Sequence, residues 1–140
     1  MTSNINNIEL TDKCIVIVED DPSLSKYYKA LLRNTGADVK IFHTGKEFVD
    51  YLLIKENGMD FVIMDFLIPL LNGIECIRIL RKERKNIPVI MVTAYYSEEA
   101  KEEAYIAGCN EYLLKPIFPE KVLFLIEKYL KSKIRVHFTR

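Results

Sequence analysis

The sequence predicts an α/β domain built on a parallel sheet with helices on both faces. Three observations carry the prediction. Short apolar runs too brief for helices recur along the chain, segments of helical period separate them, and the two kinds alternate five times. Half of the residues are hydrophobic (49%) and 29% are charged, within 140 residues, which suits one buried core and excludes wholesale disorder.

Four of the runs, Cys14–Val18, Phe61–Met64, Val89–Val92 and Tyr112–Leu114, are rich in β-branched or large apolar residues and read as strands buried on both faces. A fifth, Asp38–Phe42, opens by alternating polar with apolar residues, as an edge strand does. The first helix is marked by Leu24, Tyr28, Leu31 and Leu32, with Ser23 as a cap near its start and Gly36 after its end. Phe48, Leu52 and Leu53 mark the second, closing at Asn57-Gly58. Ile74, Ile77 and Leu80 mark the third, and Ala100, Ala104 and Ala107 the fourth, closing at Gly108. Val122, Leu125, Ile126 and Tyr129 mark the fifth, after Pro119. Residues 1–12 read as a flexible lead-in and 13–131 as the domain. The basic 132–140 stretch reads either as a frayed tail or as a docking segment.

Composition narrows the function. Lys+Arg and Asp+Glu are both 20, so the basic excess of a dedicated nucleic-acid binder is missing. No apolar run approaches the length of a membrane span, and residues 1–13 carry no secretory signal pattern. Cys14, Cys76 and Cys109 are odd in number and far apart, which suits core thiols in a reducing compartment. These features predict a cytoplasmic domain with no direct nucleic-acid contact and no membrane insertion.

In open α/β sheets the chemistry gathers beyond the carboxyl ends of the strands. Here the first strand runs into Glu19-Asp20-Asp21, the third ends on Asp65, the fourth on Thr93 and the fifth on Lys115-Pro116. Crowded carboxylates resist ionisation unless a cation compensates them, and an all-oxygen set suits Mg²⁺. With such compensation Asp65, alone at its strand end, is the natural nucleophile toward a phosphoryl group. Lys115 then supplies a point charge and Thr93 a hydroxyl donor. Asp21 reads as solvated surface, and His43 and His137 as isolated surface residues.

The segments IVIVEDDPSLSKYYKALL, VIMDFLIPLLNGIECI, PVIMVTAYY and AGCNEYLLKPI, in that order, resemble the receiver domain of two-component response regulators, over roughly residues 13–131. The resemblance implies a flavodoxin-like (βα)5 fold of strand order 2-1-3-4-5, with a cis bond between Lys115 and Pro116. It makes Asp65 the phospho-acceptor, Asp20 a direct Mg²⁺ ligand and Glu19 one acting through water. The backbone carbonyl of Leu67 becomes a further ligand. Thr93 and Lys115 would hold the phosphoryl group, and Tyr112 would be the aromatic switch, though it also reads as a plain core residue. The implied partners are a histidine kinase or histidine phosphotransfer protein and a downstream target met by the fourth helix, fifth strand and fifth helix. A phosphorylation-dependent homodimer is a further implied partner. No separate substrate would be turned over, only transfer onto Asp65 and slow self-dephosphorylation.

The chain departs from the commonest pattern at Glu19, where Asp is usual, at Ile68 before Pro69 and at Asn72 before Gly73. Leu67 and Tyr95, two residues beyond Asp65 and Thr93, flank the path of an attacking water. Other classes fit less well. A phosphatase with an aspartyl nucleophile needs a second Asp where Leu67 stands, and a flavin carrier needs a phosphate cradle where Glu19-Asp20-Asp21 would repel one. A receiver-shaped scaffold that is never phosphorylated stays open, as does the choice between a stand-alone receiver and the receiver part of a hybrid kinase.

Overall fold

The structure, a computed structural model, describes residues 8–54, 58–83 and 86–138, with side chains up to residue 130. Five strands form one parallel sheet: β1 (Cys14–Val18), β2 (Asp38–Phe42), β3 (Met59–Met64), β4 (Val89–Thr93) and β5 (Glu111–Leu114). Their order is β2-β1-β3-β4-β5, the expected flavodoxin-like order. The helices are α1 (Pro22–Leu32), α2 (Gly45–Leu52), α3 (Gly73–Glu83), α4 (Glu98–Ala107) and α5 (Pro119–Phe138), with a short 3-10 turn at Arg33–Thr35. Both faces of the sheet are covered. Val16, Val18, Val62, Met64 and Met91 meet α2, α3 and α4 through Phe48, Leu52, Ile77, Leu80 and Ala104. Ile15, Ile17, Phe61, Ile63 and Ile90 meet α1 and α5 through Tyr28, Leu32, Val122 and Ile126. Alternate residues of each strand serve opposite faces, which is why β1 and β4 read as unbroken apolar runs.

Several expectations are corrected. Ile8 and Leu10 are 4% and 2% exposed and belong to the α1/α5 core, so the lead-in is anchored from residue 8 on; residues 1–7 lie outside the described residues. The Leu10 N–H donates to the Thr35 carbonyl at 2.7 Å, tying this segment under the 3-10 turn. The first helix is capped by Asp21, not Ser23. The Asp21 carboxylate accepts the Ser23 N–H at 2.9 Å, and Pro22 occupies the first helical position, where it needs no N–H partner. The second helix stops at Leu52, short of the expected Asn57-Gly58; Asn57 lies outside the described residues. Leu53, expected on its buried face, is exposed. The fifth strand is the second edge of the sheet, so its burial is one-sided and Leu114 faces out. The last helix continues to Phe138, into the expected tail, while the side chain of His137 lies outside the described set.

Two close approaches position the rim. A Cβ at Gly73, where α3 begins, would stand 2.5 Å from the Asp65 carbonyl, so only glycine lets α3 start beside the end of β3. A Cβ at Gly45 would stand 2.3 Å from the Leu71 carbonyl, and the Gly45 N–H donates to the Pro69 carbonyl at 2.9 Å. In the same β3–α3 connection Leu70 and Leu71 adopt φ of 53° and 87°, values costly for side chains with a Cβ.

Candidate phosphoryl-acceptor site

Strand register builds the site. Val18 lies opposite Met64, so Glu19 and Asp65 leave the sheet side by side; the Asp65 N–H donates to the Val18 carbonyl at 3.0 Å. Thr93 lies opposite Leu114, and the Lys115 N–H donates to the Thr93 carbonyl at 2.8 Å. The peptide bond between Lys115 and Pro116 is cis, as the resemblance implies.

Ligand atoms of Glu19, Asp20 and Asp65 all lie within 4.8 Å of one another. Glu19 and Asp65 are buried and Asp20 is exposed, so the cluster has a dry floor and a wet mouth. Lys115 Nζ donates to Glu19 Oε1 and to Asp65 Oδ2, both at 3.0 Å. Burial pushes the Glu19 carboxyl above its ordinary value; the Lys115 hydrogen bond opposes that, and the Asp65 charge adds to it. For Lys115 burial disfavours the ammonium, but its hydrogen bonds to Asp65 and Glu19 and their charges outweigh it and raise its pKa. Three carboxylates around one ammonium leave negative charge to be neutralised, and every donor is a hard oxygen. The residues present therefore fit a Mg²⁺ ion, with the mouth at Asp20 open for its waters.

The remaining expected residues surround this cluster. Thr93 is 1% exposed, and its Oγ1 accepts the Tyr95 N–H at 3.1 Å, leaving its own hydrogen free to donate. Leu67 is exposed and enters through its N–H, which donates to Asp65 Oδ1 at 3.3 Å. Tyr112 is buried among core residues, its hydroxyl donating to the Tyr95 carbonyl at 2.8 Å and its N–H to the Tyr105 hydroxyl at 3.2 Å.

Sequence reasoning missed three neighbours. His43 Nδ1 is 3.1 Å from the Glu19 carbonyl oxygen, so it is not isolated. The register of β1 on β2, Val18 opposite Phe42, puts residue 43 beside residue 19 and could have signalled this once the strand order was fixed. Phe66 stacks on Tyr95, with ring centroids 5.5 Å apart and planes 18° apart. Tyr105 meets Tyr112 across the α4–β5 connection. No local pattern in the sequence marks either of these contacts.

Comparison with known proteins agrees with this geometry. The model of the response regulator receiver domain matches residues 15–127. An uncharacterised transcriptional regulatory protein of Bacillus subtilis, YkoG, is 35% identical over 118 residues, covering 84% of this chain and 51% of YkoG. The chain thus spans about half the length of this relative. The polar-differentiation response regulator DivK of Brucella ovis is 32% identical over 120 residues, covering 84% of this chain and 96% of DivK. Among solved structures, the receiver domain of the sensor histidine kinase PA1611 of Pseudomonas aeruginosa, with a magnesium ion coordinated in its active-site cleft, superposes with a TM-score of 0.74. It is 27% identical and covers 84% of this chain and 96% of that one. Five parallel strands in the order 2-1-3-4-5, an acidic cleft bridged by a lysine at their carboxyl ends, and matches running nearly the length of the domain lead to one assignment: the chain belongs to the response regulator receiver domain family.

Proposed function

We propose that this protein is a phosphorylation switch in two-component signalling, in which Asp65 takes a phosphoryl group from the phosphohistidine of a histidine kinase or phosphotransfer protein. The observation that carries the reading is the Lys115 ammonium held 3.0 Å from both Glu19 and Asp65, with Asp20 at the mouth of the same cluster. A carboxylate oxygen of Asp65 forms the new O–P bond as the N–P bond to the donor imidazole breaks, and the imidazole keeps the electron pair. Lys115 sits where negative charge grows on the phosphoryl oxygens, and the free Thr93 hydroxyl hydrogen supplies a donor to them. Glu19, Asp20, Asp65 and the Leu67 carbonyl would hold Mg²⁺, which when bound neutralises charge on the transferring group.

The new charge of about −1.5 to −2 draws on the Thr93 hydroxyl, and Tyr112 responds. The output surface is α4–β5–α5, where Ile106, Leu114 and Phe124 are exposed. A downstream protein or a second copy of the chain binds there. Transfer onto Asp65 and its slow reversal are the whole of the chemistry, with no separate substrate turned over, and the protein works in the cytoplasm. Among the described residues no helix is long and apolar enough to cross a membrane.

Intact-mass analysis after incubation with acetyl phosphate, with and without Mg²⁺, beside Asp65→Asn, tests this reading. One phosphoryl group gained only with Mg²⁺ and only by the unaltered chain is the expected result. No labelling by acetyl phosphate or by a cognate kinase would leave the unphosphorylated scaffold as the better account.

A further inference from the structure

Tyr95, two residues beyond Thr93 on the β4–α4 connection, makes three contacts that point to three parts of the domain. Its ring stacks on Phe66, the residue that follows Asp65. Its N–H donates to the Thr93 hydroxyl oxygen at 3.1 Å, and its carbonyl accepts the Tyr112 hydroxyl at 2.8 Å. Tyr95 is 43% exposed, so burial does not hold it in place. Phe66, by contrast, is packed against the core on the α3 side of the sheet and gives the stack a fixed base. The second tie on Tyr112, its N–H to the Tyr105 hydroxyl, fixes strand backbone and not the ring. The polar end of the buried Tyr112 ring therefore depends on where the Tyr95 carbonyl stands, since a phenol hydroxyl removed from water is costly without an acceptor.

We propose that the Phe66–Tyr95 stack is a latch that holds the Tyr112 ring in its buried position, making Phe66 and Tyr95 positioning residues for the switch. The inference rests on the switch reading above for the meaning of that ring position, but not for the position itself. The stack fixes the β4–α4 connection, the connection fixes a carbonyl, and the carbonyl holds the hydroxyl. Thr93 engages the same residue from the phosphoryl side through the Tyr95 N–H. Movement of the Thr93 hydroxyl and release of the stack thus act on one peptide segment from opposite ends. An aromatic pair of this kind shifts a two-state population by about 2- to 10-fold.

The test is NMR of the full chain carrying ring-labelled ¹³C-tyrosine, recorded without any phosphoryl donor, with the Tyr112 signal assigned by its loss in Tyr112→Phe. Tyr95→Leu and Phe66→Leu should each move the Tyr112 signal in the same direction, raising the outward population about 2- to 10-fold. The double variant should move it no further than the larger single change, and Tyr95→Phe, which keeps ring and carbonyl, should leave it in place. Should Phe66→Leu fail to fold, Tyr95→Leu carries the test alone, because that ring is on the surface. An unmoved signal in folded Tyr95→Leu, or a double shift equal to the sum of the singles, overturns the latch. Acetyl phosphate labelling of Asp65 on the same samples separates the two readings. A moving signal without labelling keeps the latch and removes the phosphorylation reading, whereas labelling with an unmoved signal removes the latch.

Discussion

Replacing Lys115 with Gln isolates the charge balance of the acidic cleft, and the cost follows from the geometry. Lys115 Nζ is 3.0 Å from each of two carboxylates whose side chains are 4% and 8% exposed. At an effective dielectric constant near 20, each contact is worth about 5 kcal/mol of Coulomb energy. The folded chain need not lose that much, because a carboxyl left without its cation takes up a proton. Protonating a carboxyl of ordinary pKa near 4.3 costs about 4 kcal/mol at pH 7 and about 1 kcal/mol at pH 5. Protonation is cheaper than bearing the unpaired charge, so it sets a ceiling on the loss. Relief of the buried lysine's own desolvation lowers the result further, to about 2–4 kcal/mol at pH 7 and below about 1 kcal/mol at pH 5. The sign follows from linkage. In the variant a carboxyl with a raised folded pKa binds more protons folded than unfolded, so stability falls as pH rises above the ordinary carboxyl range. Urea denaturation of both chains at the two pH values, with a chelator present, measures the difference. A loss equal at pH 5 and pH 7, or none at pH 7, would refute Lys115 as the counter-charge to Glu19 and Asp65.

Other outcomes follow from burial and from the rim. Burial pushes the Cys76 and Cys109 thiols up to about 12 from an ordinary 9.0 and raises Cys14 as well, so iodoacetamide at pH 8 should alkylate Cys76 and Cys109 on the order of a thousandfold more slowly in the folded chain than in urea. The same shifts favour the folded state below pH 9 and withdraw that support as pH climbs toward 12; rapid alkylation of the native chain would contradict the packing of Cys76 on α3 and of Cys109 in the α4–β5 connection. Leu67 and Tyr95 stand 58% and 43% exposed on the rim, and replacing either with a small polar residue should change the dephosphorylation rate by about tenfold, a barrier change near 1.4 kcal/mol. Unchanged phosphoryl lifetimes in both variants would show that neither side chain governs access of water.

The fold was legible because buried parallel strands leave a pattern that does not depend on distant contacts. Ile15, Val16, Ile17 and Val18 are all buried because helices cover both faces, and the sequence shows that as an unbroken apolar run. Strand ends then located Glu19, Asp65, Thr93 and Lys115, which the register brings to one rim. What escaped was decided by tertiary packing. Ile8 and Leu10 are two isolated apolar residues in a polar stretch, with no period to betray that they fill the floor of the α1/α5 core. Ser23 and Asp21 are both good capping residues, and only the backbone turn at Pro22 selects between them. The Phe66–Tyr95 stack joins residues 29 positions apart, and two aromatics at that separation carry no local signal.

The paired left-handed leucines of the β3–α3 connection tie the acidic cleft at Asp65 to a helix that never touches it. Leu70 and Leu71 gain nothing from their own backbone preferences, at about 1–2 kcal/mol each, so the loop keeps its shape only while something outside it holds on. That hold is α2, through the Gly45 N–H on the Pro69 carbonyl and the close seat of Gly45 on Leu71. The loop from Phe66 to Asn72 therefore belongs to the same cooperative unit as an eight-residue helix on the flank of the sheet. Amide exchange at Gly45 and at Gly73, whose N–H donates to the Phe66 carbonyl at 2.8 Å, should report one shared opening, and openings differing by more than about 1 kcal/mol would separate them. A lesion beneath α2, at Phe48 or Leu52, is then felt at Asp65 as a loosened β3–α3 loop, although neither residue lies in the cleft.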